Sequence, residues 1–193
     1  MSHYTTRFGG FFHAPSEVSD FLLCQRDLLQ PNRMQHMGHF LNRLKASQIS
    51  CVGNDGRGWW VLLEALAFSS DVLKSYWLDQ GTSEDFAQAN ALLTVPAGFK
   101  TDFMSVPSIL PWSQCLAQSP RAGTVHDYLY TAGPAGIHPV PSRLLADQIL
   151  REMFISDITE DGGASTDSDR AALEARADLV FLGVRAGGKP HWD

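Results

Sequence analysis

The sequence predicts an α+β fold with a small β-element, a helical hairpin and a C-terminal helix, preceded by a helical N-terminal extension. Three observations lead to this prediction. Short segments rich in aromatic and aliphatic residues lie between positions 59 and 101, and glycine and proline interrupt them. Two later segments carry apolar residues at helical spacing on either side of a proline-rich loop. A further helical segment near the end of the chain stops at two glycines.

The composition is that of a folded globular protein. Of the 193 residues, 44% are hydrophobic and 19% are charged, which supplies a sizeable core and excludes global disorder. The formal net charge is -6, so the molecule as a whole does not attract nucleic acid or an anionic membrane, and we predict no nucleic-acid partner. The sequence contains no run of Lys or Arg, which leaves only a local basic patch open. We also expect no signal peptide and no transmembrane segment, because no apolar run approaches the ~18 residues of a span.

The cysteines exclude two kinds of structural site. Cys24, Cys51 and Cys115 are odd in number and irregularly spaced, which is not the pattern of a disulfide framework. The chain has no Cys-x-x-Cys pair, so we predict no structural zinc site. The three thiols are therefore typical of a protein that folds in a reducing compartment.

Residues 1–50 are predicted to form the helical extension, and residues 51–193 a separate domain. Two segments of the extension, Ser19 to Leu29 and Arg33 to Ala46, carry apolar residues at helical spacing, and Pro31 separates them. His36 and His39 lie one turn apart in the second segment. That spacing can bind a metal, but no third ligand type is near, so we interpret both as ordinary helix residues.

The β-element is predicted between residues 59 and 101. Trp59 to Phe68 is compatible with a strand, a strand pair or a short helix, and its aromatic start favours a strand. Residues 71–90 are polar and mixed, and we interpret them as an insertion or loop with some helix. Residues 91–95 form a short strand that Pro96 stops, and Gly98 supplies an unusual backbone angle in the turn that follows.

The last third is predicted to be helical. A first helix begins at residue 120 or 121 and runs through Tyr130, before a loop that contains three prolines. Ser142 is a good N-cap for a helix over residues 143–156. Ser168 is predicted to cap the final helix, which runs to about Val184.

A group of ionisable residues on the predicted hairpin could carry chemistry. His126 and Tyr130 are four residues apart, so they share one face of the first helix, whereas Asp127 points about 100° away. Asp147 lies at the edge of the apolar face of the second helix, where a carboxylate is costly unless it is paired. We therefore expect Asp147 to bond to His126, to Tyr130 or to both.

This arrangement predicts hydrolysis by an activated water. Asp147 would accept a hydrogen bond from one imidazole nitrogen of His126, and the other nitrogen, facing a cleft open to water, would act as the base. Asp127, with backbone carbonyls of the loop over residues 96–105 and with Asp102, could bind a hard cation. The cation would stabilise an oxyanion. A serine nucleophile is disfavoured because no Gly-x-Ser-x-Gly occurs.

A structural interpretation of the same residues stays open. Asp127 could bond backbone amides of the irregular loop, and Asp147 could anchor Tyr130, so that the polar group only holds three elements together. Arg185 and Lys189 could meet a phosphate, although a helix end favours cations in any case.

Four segments together resemble a family of small bacteriophage and bacterial proteins of unknown function. They are Leu92-Leu-Thr-Val-Pro-Ala-Gly-Phe-Lys-Thr-Asp-Phe-Met-Ser-Val-Pro107, Val125-His-Asp-Tyr-Leu-Tyr130, Arg143-Leu-Leu-Ala-Asp147 and Val184-Arg-Ala-Gly-Gly188. The resemblance extends over roughly residues 57–190. It implies a phage or prophage gene product that is made in the cytoplasm of a bacterial host and is either associated with the virion or released on lysis.

His126-Asp127-x-x-Tyr130 with Asp147 on the next helix is also similar to the catalytic core of secreted phospholipase A2. That resemblance implies that His126 is the base, that Asp147 orients it and that Asp127 is a calcium ligand. It places Asp102 near the position of the calcium loop.

We therefore expect a phage-encoded, phospholipase-like hydrolase of cell-envelope esters or amides, with His126, Asp147 and Tyr130 as site residues. Its partners would be a cell-envelope lipid or peptidoglycan. The alternative is a non-enzymatic virion structural or assembly accessory protein whose partners are other phage proteins.

Overall fold

Two small antiparallel sheets precede a helical C-terminal part in the described chain. The structure is a computed structural model, and it describes residues 38–50, 58–103, 119–133, 140–160, 162, 165–187 and 192. The strands are β1 (His39–Phe40), β2 (Ala46–Ser50), β3 (Trp59–Leu62), β4 (Leu66–Ser69), β5 (Leu92–Val95) and β6 (Lys100–Thr101). The helices are α1 (Asp71–Asp79), α2 (Glu84–Asn90), α3 (Pro120–Ala132), α4 (Arg143–Glu160) and α5 (Asp167–Gly187). The predicted α+β class with a helical C-terminal part is confirmed.

The first sheet has the strand order β1-β4-β5, and the second has the order β2-β3-β6. Every pairing in both sheets is antiparallel. Residues 59–69 thus form two strands that belong to different sheets, with a bend between them. In β4 the side chains alternate, so that Leu66 and Phe68 are buried while Ala67 and Ser69 are half-buried.

The predicted helix over residues 33–46 is wrong for its described part. Residues 39–40 form β1, which pairs with β4, and residues 46–50 form β2, which pairs with β3. A few apolar residues at helical spacing are equally compatible with two short strands. The sequence alone does not reveal the difference here, because the strands that pair with these residues lie further along the chain. Residues 1–37 lie outside the described residues, and all described residues belong to one compact unit, Met37–Asp193.

Residues 71–90 contain more helix than the sequence predicts. Ser70 caps α1 by accepting a 3.0 Å hydrogen bond from the amide of Leu73, and Ser83 caps α2 by accepting one of 3.3 Å from the amide of Phe86. Acidic residues follow each serine in the first turn, where the helix dipole favours them. The strand over residues 92–95 and the positive φ of Gly98, 84°, are confirmed.

The three C-terminal helices begin close to the predicted positions. Pro120 lies at the start of α3, where its missing N–H costs nothing. Ser142 accepts a 3.3 Å hydrogen bond from the amide of Leu145 at the start of α4. The cap predicted at Ser168 is wrong, because Thr166 and Asp169 bond reciprocally: the Asp169 amide donates to the Thr166 hydroxyl, and the Thr166 amide donates to the Asp169 carboxylate.

Helix α4 is the centre of the described fold. It packs against α3 and α5, and also contacts α1 and β1. Apolar side chains from all of these elements meet in one buried core, which includes Phe68, Leu93, Val125, Leu129, Ile149, Leu150, Met153, Phe154, Val180 and Val184. None of the described helices combines the length and the apolar character that crossing a bilayer requires.

Candidate active site

The predicted polar group forms at the packing interface of α3, α4 and α5. His126 and Tyr130 lie one turn apart on α3, and Asp147 lies in the first half of α4. The neighbouring residues Val125 and Leu129 belong to the buried core, which fixes the rotation of α3. That rotation turns the imidazole and the phenol toward α4, so the three side chains meet inside the protein.

Asp147 bonds to both of its predicted partners. Its Oδ1 lies 3.0 Å from Nε2 of His126 and accepts a 2.6 Å hydrogen bond from the hydroxyl of Tyr130. Asp147 and His126 are fully buried, with exposed fractions of 0% and 1%. The two rings also contact each other, with centroids 4.3 Å apart. Both alternatives for the pairing of Asp147 are therefore realised at once, on one oxygen atom.

Arg185 is a fourth member of this group. Its Nη1 donates a 3.1 Å hydrogen bond to Oδ2 of Asp147, and the ion pair connects the last turn of α5 with α4. The sequence interpretation of Arg185 as a phosphate contact or an ordinary helix-end cation missed this contact. An unpaired buried carboxylate costs several kcal/mol, so a cation was needed somewhere near Asp147. Thirty-eight residues separate the two positions, and no local pattern connects them.

Burial raises the pKa of the Tyr130 phenol well above its ordinary value. The negative charge of Asp147 and the hydrogen bond to its carboxylate act in the same direction, and the guanidinium groups of Arg143 and Arg185 oppose it. The Tyr130 hydroxyl therefore stays protonated at neutral pH and serves as a donor to Asp147.

The second nitrogen of His126 does not face an open cleft. Nδ1 is buried and has no hydrogen-bond partner among the described residues. Since an ionised carboxylate only accepts hydrogen bonds, the contact with Asp147 places the ring proton on Nε2 and leaves the lone pair on Nδ1. The prediction that this nitrogen faces a cleft open to water is therefore wrong. Spacing predicts which helix face carries His126, but the elements that cover that face come from elsewhere in the chain.

Asp127 points to a different neighbour, as its position on α3 predicts. Its Oδ2 accepts a 2.6 Å hydrogen bond from the hydroxyl of Thr101, and that hydroxyl accepts one of 2.9 Å from the amide of Phe103. Phe103 has a positive φ of 59°, which is uncommon outside glycine. A Cβ atom at Gly123 would lie 2.6 Å from the carbonyl oxygen of Phe103, so a glycine is needed for this close approach.

The predicted cation site has only part of its ligands within the described residues. Among those residues, no three His, Cys, Asp or Glu side chains lie close enough together to hold a metal ion. Asp127 and Asp102 would therefore need backbone carbonyls to complete a calcium site. The part of the predicted loop from residue 104 onward lies outside the described residues.

Glu152 of α4 forms a second buried polar group that the sequence did not predict. Its Oε1 accepts hydrogen bonds from the amides of Gly38, Asp71 and Val72, at 3.0, 2.8 and 3.2 Å, and its Oε2 accepts one of 2.6 Å from the Ser70 hydroxyl. Burial raises the pKa of this carboxyl to about 7, although the four hydrogen bonds lower it. The visible signal was a Glu between Leu150 and Phe154 in an apolar stretch.

An open cleft of about 720 Å³ lies away from the His126 group. One side of it is formed by Arg121, which binds Asp157 and Glu160 and stacks over the ring of Phe40 with 4.5 Å to the centroid. The residues along this cleft are Phe40, Leu41, Asn42, Arg43, Leu44, Pro120, Arg121, Asp157 and Glu160. None of the predicted site residues is among them.

The remaining candidates from the sequence fall elsewhere. His39 is exposed on β1. His36 and Lys189 lie outside the described residues.

Comparison with known proteins finds a similarity in the central part of the chain. Residues 82–161 match the model of a family described as "Protein of unknown function (DUF1353)". This range contains His126, Asp127, Tyr130 and Asp147 but not Arg185. No curated protein and no solved structure matches the chain. The similarity therefore supports a domain of unknown function within this range.

Proposed function

We propose that the chain is a phage- or prophage-encoded hydrolase of cell-envelope esters or amides, with His126 as its general base. One observation carries the proposal: Nε2 of His126 lies 3.0 Å from Asp147, while Nδ1 is buried without a hydrogen-bond partner among the described residues. A buried polar atom left without a partner costs about 1–3 kcal/mol. A catalytic role would explain why Nδ1 has no protein partner, because its lone pair would then bind a water molecule or a substrate during the reaction.

The proposed reaction uses the lone pair of Nδ1. A water molecule attacks the carbonyl carbon and transfers one proton to Nδ1, which forms an imidazolium and a tetrahedral oxyanion. The oxyanion collapses and breaks the bond to the leaving oxygen or nitrogen, which takes the proton back from Nδ1. Asp147 accepts from Nε2–H throughout and stabilises the imidazolium. A divalent cation held by Asp127 and Asp102, together with backbone carbonyls, would supply positive charge to the oxyanion.

Access to Nδ1 requires that the site opens when substrate binds. In the present structure the imidazole is covered, so the closed state is the resting state in this proposal. Active sites that open and close around substrate are common among enzymes that exclude water from the reaction.

Turnover assays with two substrate classes test the proposal. The full-length protein is incubated with vesicles of phosphatidylethanolamine and phosphatidylglycerol, and separately with purified peptidoglycan, in calcium and in chelator. We expect release of fatty acid or of cell-wall fragments, and at least about a 100-fold lower rate in His126→Ala, since a general base contributes at least that factor. His39→Ala, which removes an exposed histidine on β1, is the control and should keep the wild-type rate.

Asp127→Asn tests the cation. We expect this variant to lose the calcium dependence of the rate while the hydrogen bond between His126 and Asp147 is retained. Calcium binding measured by titration calorimetry should weaken in parallel. A wild-type rate that is the same in calcium and in chelator would remove the cation from the proposal.

A second candidate function is favoured by the burial of His126. A non-enzymatic virion structural or assembly accessory protein needs no access to Nδ1, and Asp147 then joins α3, α4 and α5 through Tyr130, His126 and Arg185. This candidate predicts that His126→Ala and Asp147→Ala lower the melting temperature by several degrees without any turnover in the wild type. It also predicts that the protein co-sediments with phage particles.

A further inference from the structure

We infer that Arg185 is a positioning residue for His126 and acts through Asp147, an inference that rests on the proposed function. Arg185 lies on α5 and binds the oxygen of Asp147 that His126 and Tyr130 leave unused. The family match ends at residue 161, so the matched segment by itself does not contain this contact.

The two oxygens of Asp147 have separate partners. Oδ1 receives the hydroxyl of Tyr130 at 2.6 Å and lies 3.0 Å from Nε2 of His126, whereas Oδ2 receives Nη1 of Arg185 at 3.1 Å. A carboxylate held at both oxygens cannot rotate about its last side-chain bond without losing a bond to a charged group. Such bonds are worth about 1.5–3 kcal/mol each. Arg185 therefore fixes the plane in which Asp147 meets the imidazole.

The position of Arg185 is itself fixed by α4. Nη1 of Arg143, in the first turn of α4, donates a 3.2 Å hydrogen bond to the backbone carbonyl of Arg185. This carbonyl is one of the last in α5, and such carbonyls have no partner within their own helix. The bond attaches the end of α5 to the start of α4, close to Asp147. Arg185 thus reaches Asp147 from a backbone position that α4 holds.

The chemical consequence concerns which nitrogen of His126 carries the proton. A guanidinium stays charged at every relevant pH, so it favours an ionised, acceptor-only partner. An acceptor at Nε2 selects the tautomer with the proton on Nε2 and the lone pair on Nδ1. That lone pair is the base of the proposed reaction. Loss of Arg185 frees Asp147 to rotate and weakens the preference for this tautomer.

A matched pair of variants separates this role from simple helix packing. Arg185→Ala removes the ion pair to Asp147, and Arg151→Ala removes another Arg–Asp pair between the same two helices, in which Nε of Arg151 binds Asp178 at 2.6 Å. The two arginine side chains are similarly exposed, at 21% and 23%. Both variants lose one contact between α4 and α5, but only the first touches Asp147.

The first measurement is the ¹⁵N spectrum of the His126 ring in the full chain at one fixed pH, assigned by its loss in His126→Gln. We expect a protonated Nε2 and an unprotonated Nδ1 in the wild type and in Arg151→Ala, and shifts averaged between the two tautomers in Arg185→Ala. Arg185→Gln, which keeps the length of the side chain without its charge, gives the same comparison if the alanine variant does not fold. Wild-type ring shifts in folded Arg185 variants would overturn the inference.

The second measurement uses the vesicle and peptidoglycan assays. A loss of alignment of about 1 Å costs about 100-fold, so Arg185→Ala should lower kcat by about that factor with little change in KM. Arg185→Lys, or guanidinium ion added to Arg185→Ala, should restore part of the rate, and Arg151→Ala should match the wild type. If the ring shifts differ among the variants as expected but the wild type shows no turnover, the proposed hydrolase is rejected and the positioning role is kept. Turnover with unchanged kcat in Arg185→Ala would reject the positioning role alone.

Discussion

The hydroxyl of Tyr130 donates a 2.6 Å hydrogen bond to Oδ1 of Asp147. That same oxygen lies 3.0 Å from Nε2 of His126, so one buried atom connects two side chains of α3 with α4. Because the phenol stays protonated, it contributes a donor at all physiological pH values. The stability of the helical hairpin and the orientation of His126 therefore depend on the same oxygen, and variants can separate the two effects.

Tyr130→Phe should destabilise the protein while it keeps the ring contact with His126. The variant deletes one hydrogen bond to a buried carboxylate, which is worth about 1.5–3 kcal/mol. For a domain of this size the melting temperature should fall by about 3–12 °C. Differential scanning calorimetry of the wild type and the variant measures the change.

Tyr76→Phe is the control for that substitution. Tyr76 on α1 is half-buried and packs edge-on against Trp77, and its hydroxyl has no hydrogen bond within the described part of the chain. Its variant should melt within about 1 °C of the wild type. Equal changes in the two variants would show that the bond from Tyr130 to Asp147 contributes nothing measurable.

The stability of the protein should fall as the pH rises from about 4.5 to about 7. Burial raises the folded-state pKa of Glu152 to about 7, above its ordinary value of 4.5. The folded protein therefore binds more protons than the unfolded chain in this window, and the contribution is full below pH 4.5 and is lost as the pH passes through 7. The contribution amounts to about 3 kcal/mol at most. Urea unfolding at a series of pH values measures it.

Glu152→Gln should remove this dependence on pH, because an amide does not titrate. Gln can still accept from the amides of Gly38 and Asp71 and can pair its amide group with the Ser70 hydroxyl. The exposed Glu64, which pairs with Lys45 at the surface, gives the control Glu64→Gln, and this variant should keep the wild-type pH profile. Identical profiles for the wild type and Glu152→Gln would show that Glu152 stays ionised in the fold.

Thr101→Val should destabilise the segment that meets Asp127. The substitution keeps the shape of the side chain but removes the donor to Asp127 and the acceptor of the Phe103 amide. A buried donor left unpaired costs about 1–3 kcal/mol, so we expect a loss of that size in chemical unfolding.

Thr94→Val provides the matched control for this variant. Thr94 is exposed on β5, and valine is at least as favourable as threonine in a strand. We expect no loss of stability there. If Thr101→Val is as stable as Thr94→Val, the hydroxyl of Thr101 does not hold Asp127 in place.

The sequence predicted the elements whose signals are local. Pro120 and Ser142 mark the starts of α3 and α4 because a proline and a capping serine act on the turn that directly follows them. The four-residue spacing of His126 and Tyr130 is also local, since it follows from the helix geometry alone. From these features the fold class and the bond between α3 and Asp147 could be derived.

The features that the sequence missed depend on distant partners. Residues 39–40 and 46–50 form strands because β4 and β3 are available to pair with them, and this pairing prevails over the helical spacing of the apolar side chains. Arg185 reaches Asp147 across thirty-eight positions, and Glu152 accepts from amides that lie eighty or more positions away. The sequence also did not predict the burial of Nδ1 of His126, because that burial depends on the elements that pack around α3 and not on α3 itself.

The central claim is that Asp147 holds His126 so that Nδ1 acts as a base on envelope esters or amides. The initial rate of product release from the phospholipid vesicles and from peptidoglycan, measured for the wild type and for folded His126→Ala, tests it most directly. We expect turnover by the wild type on one of the two substrates and a rate at least about 100-fold lower in the variant. Equal rates in the two proteins, or no turnover by the wild type on either substrate, would contradict the claim.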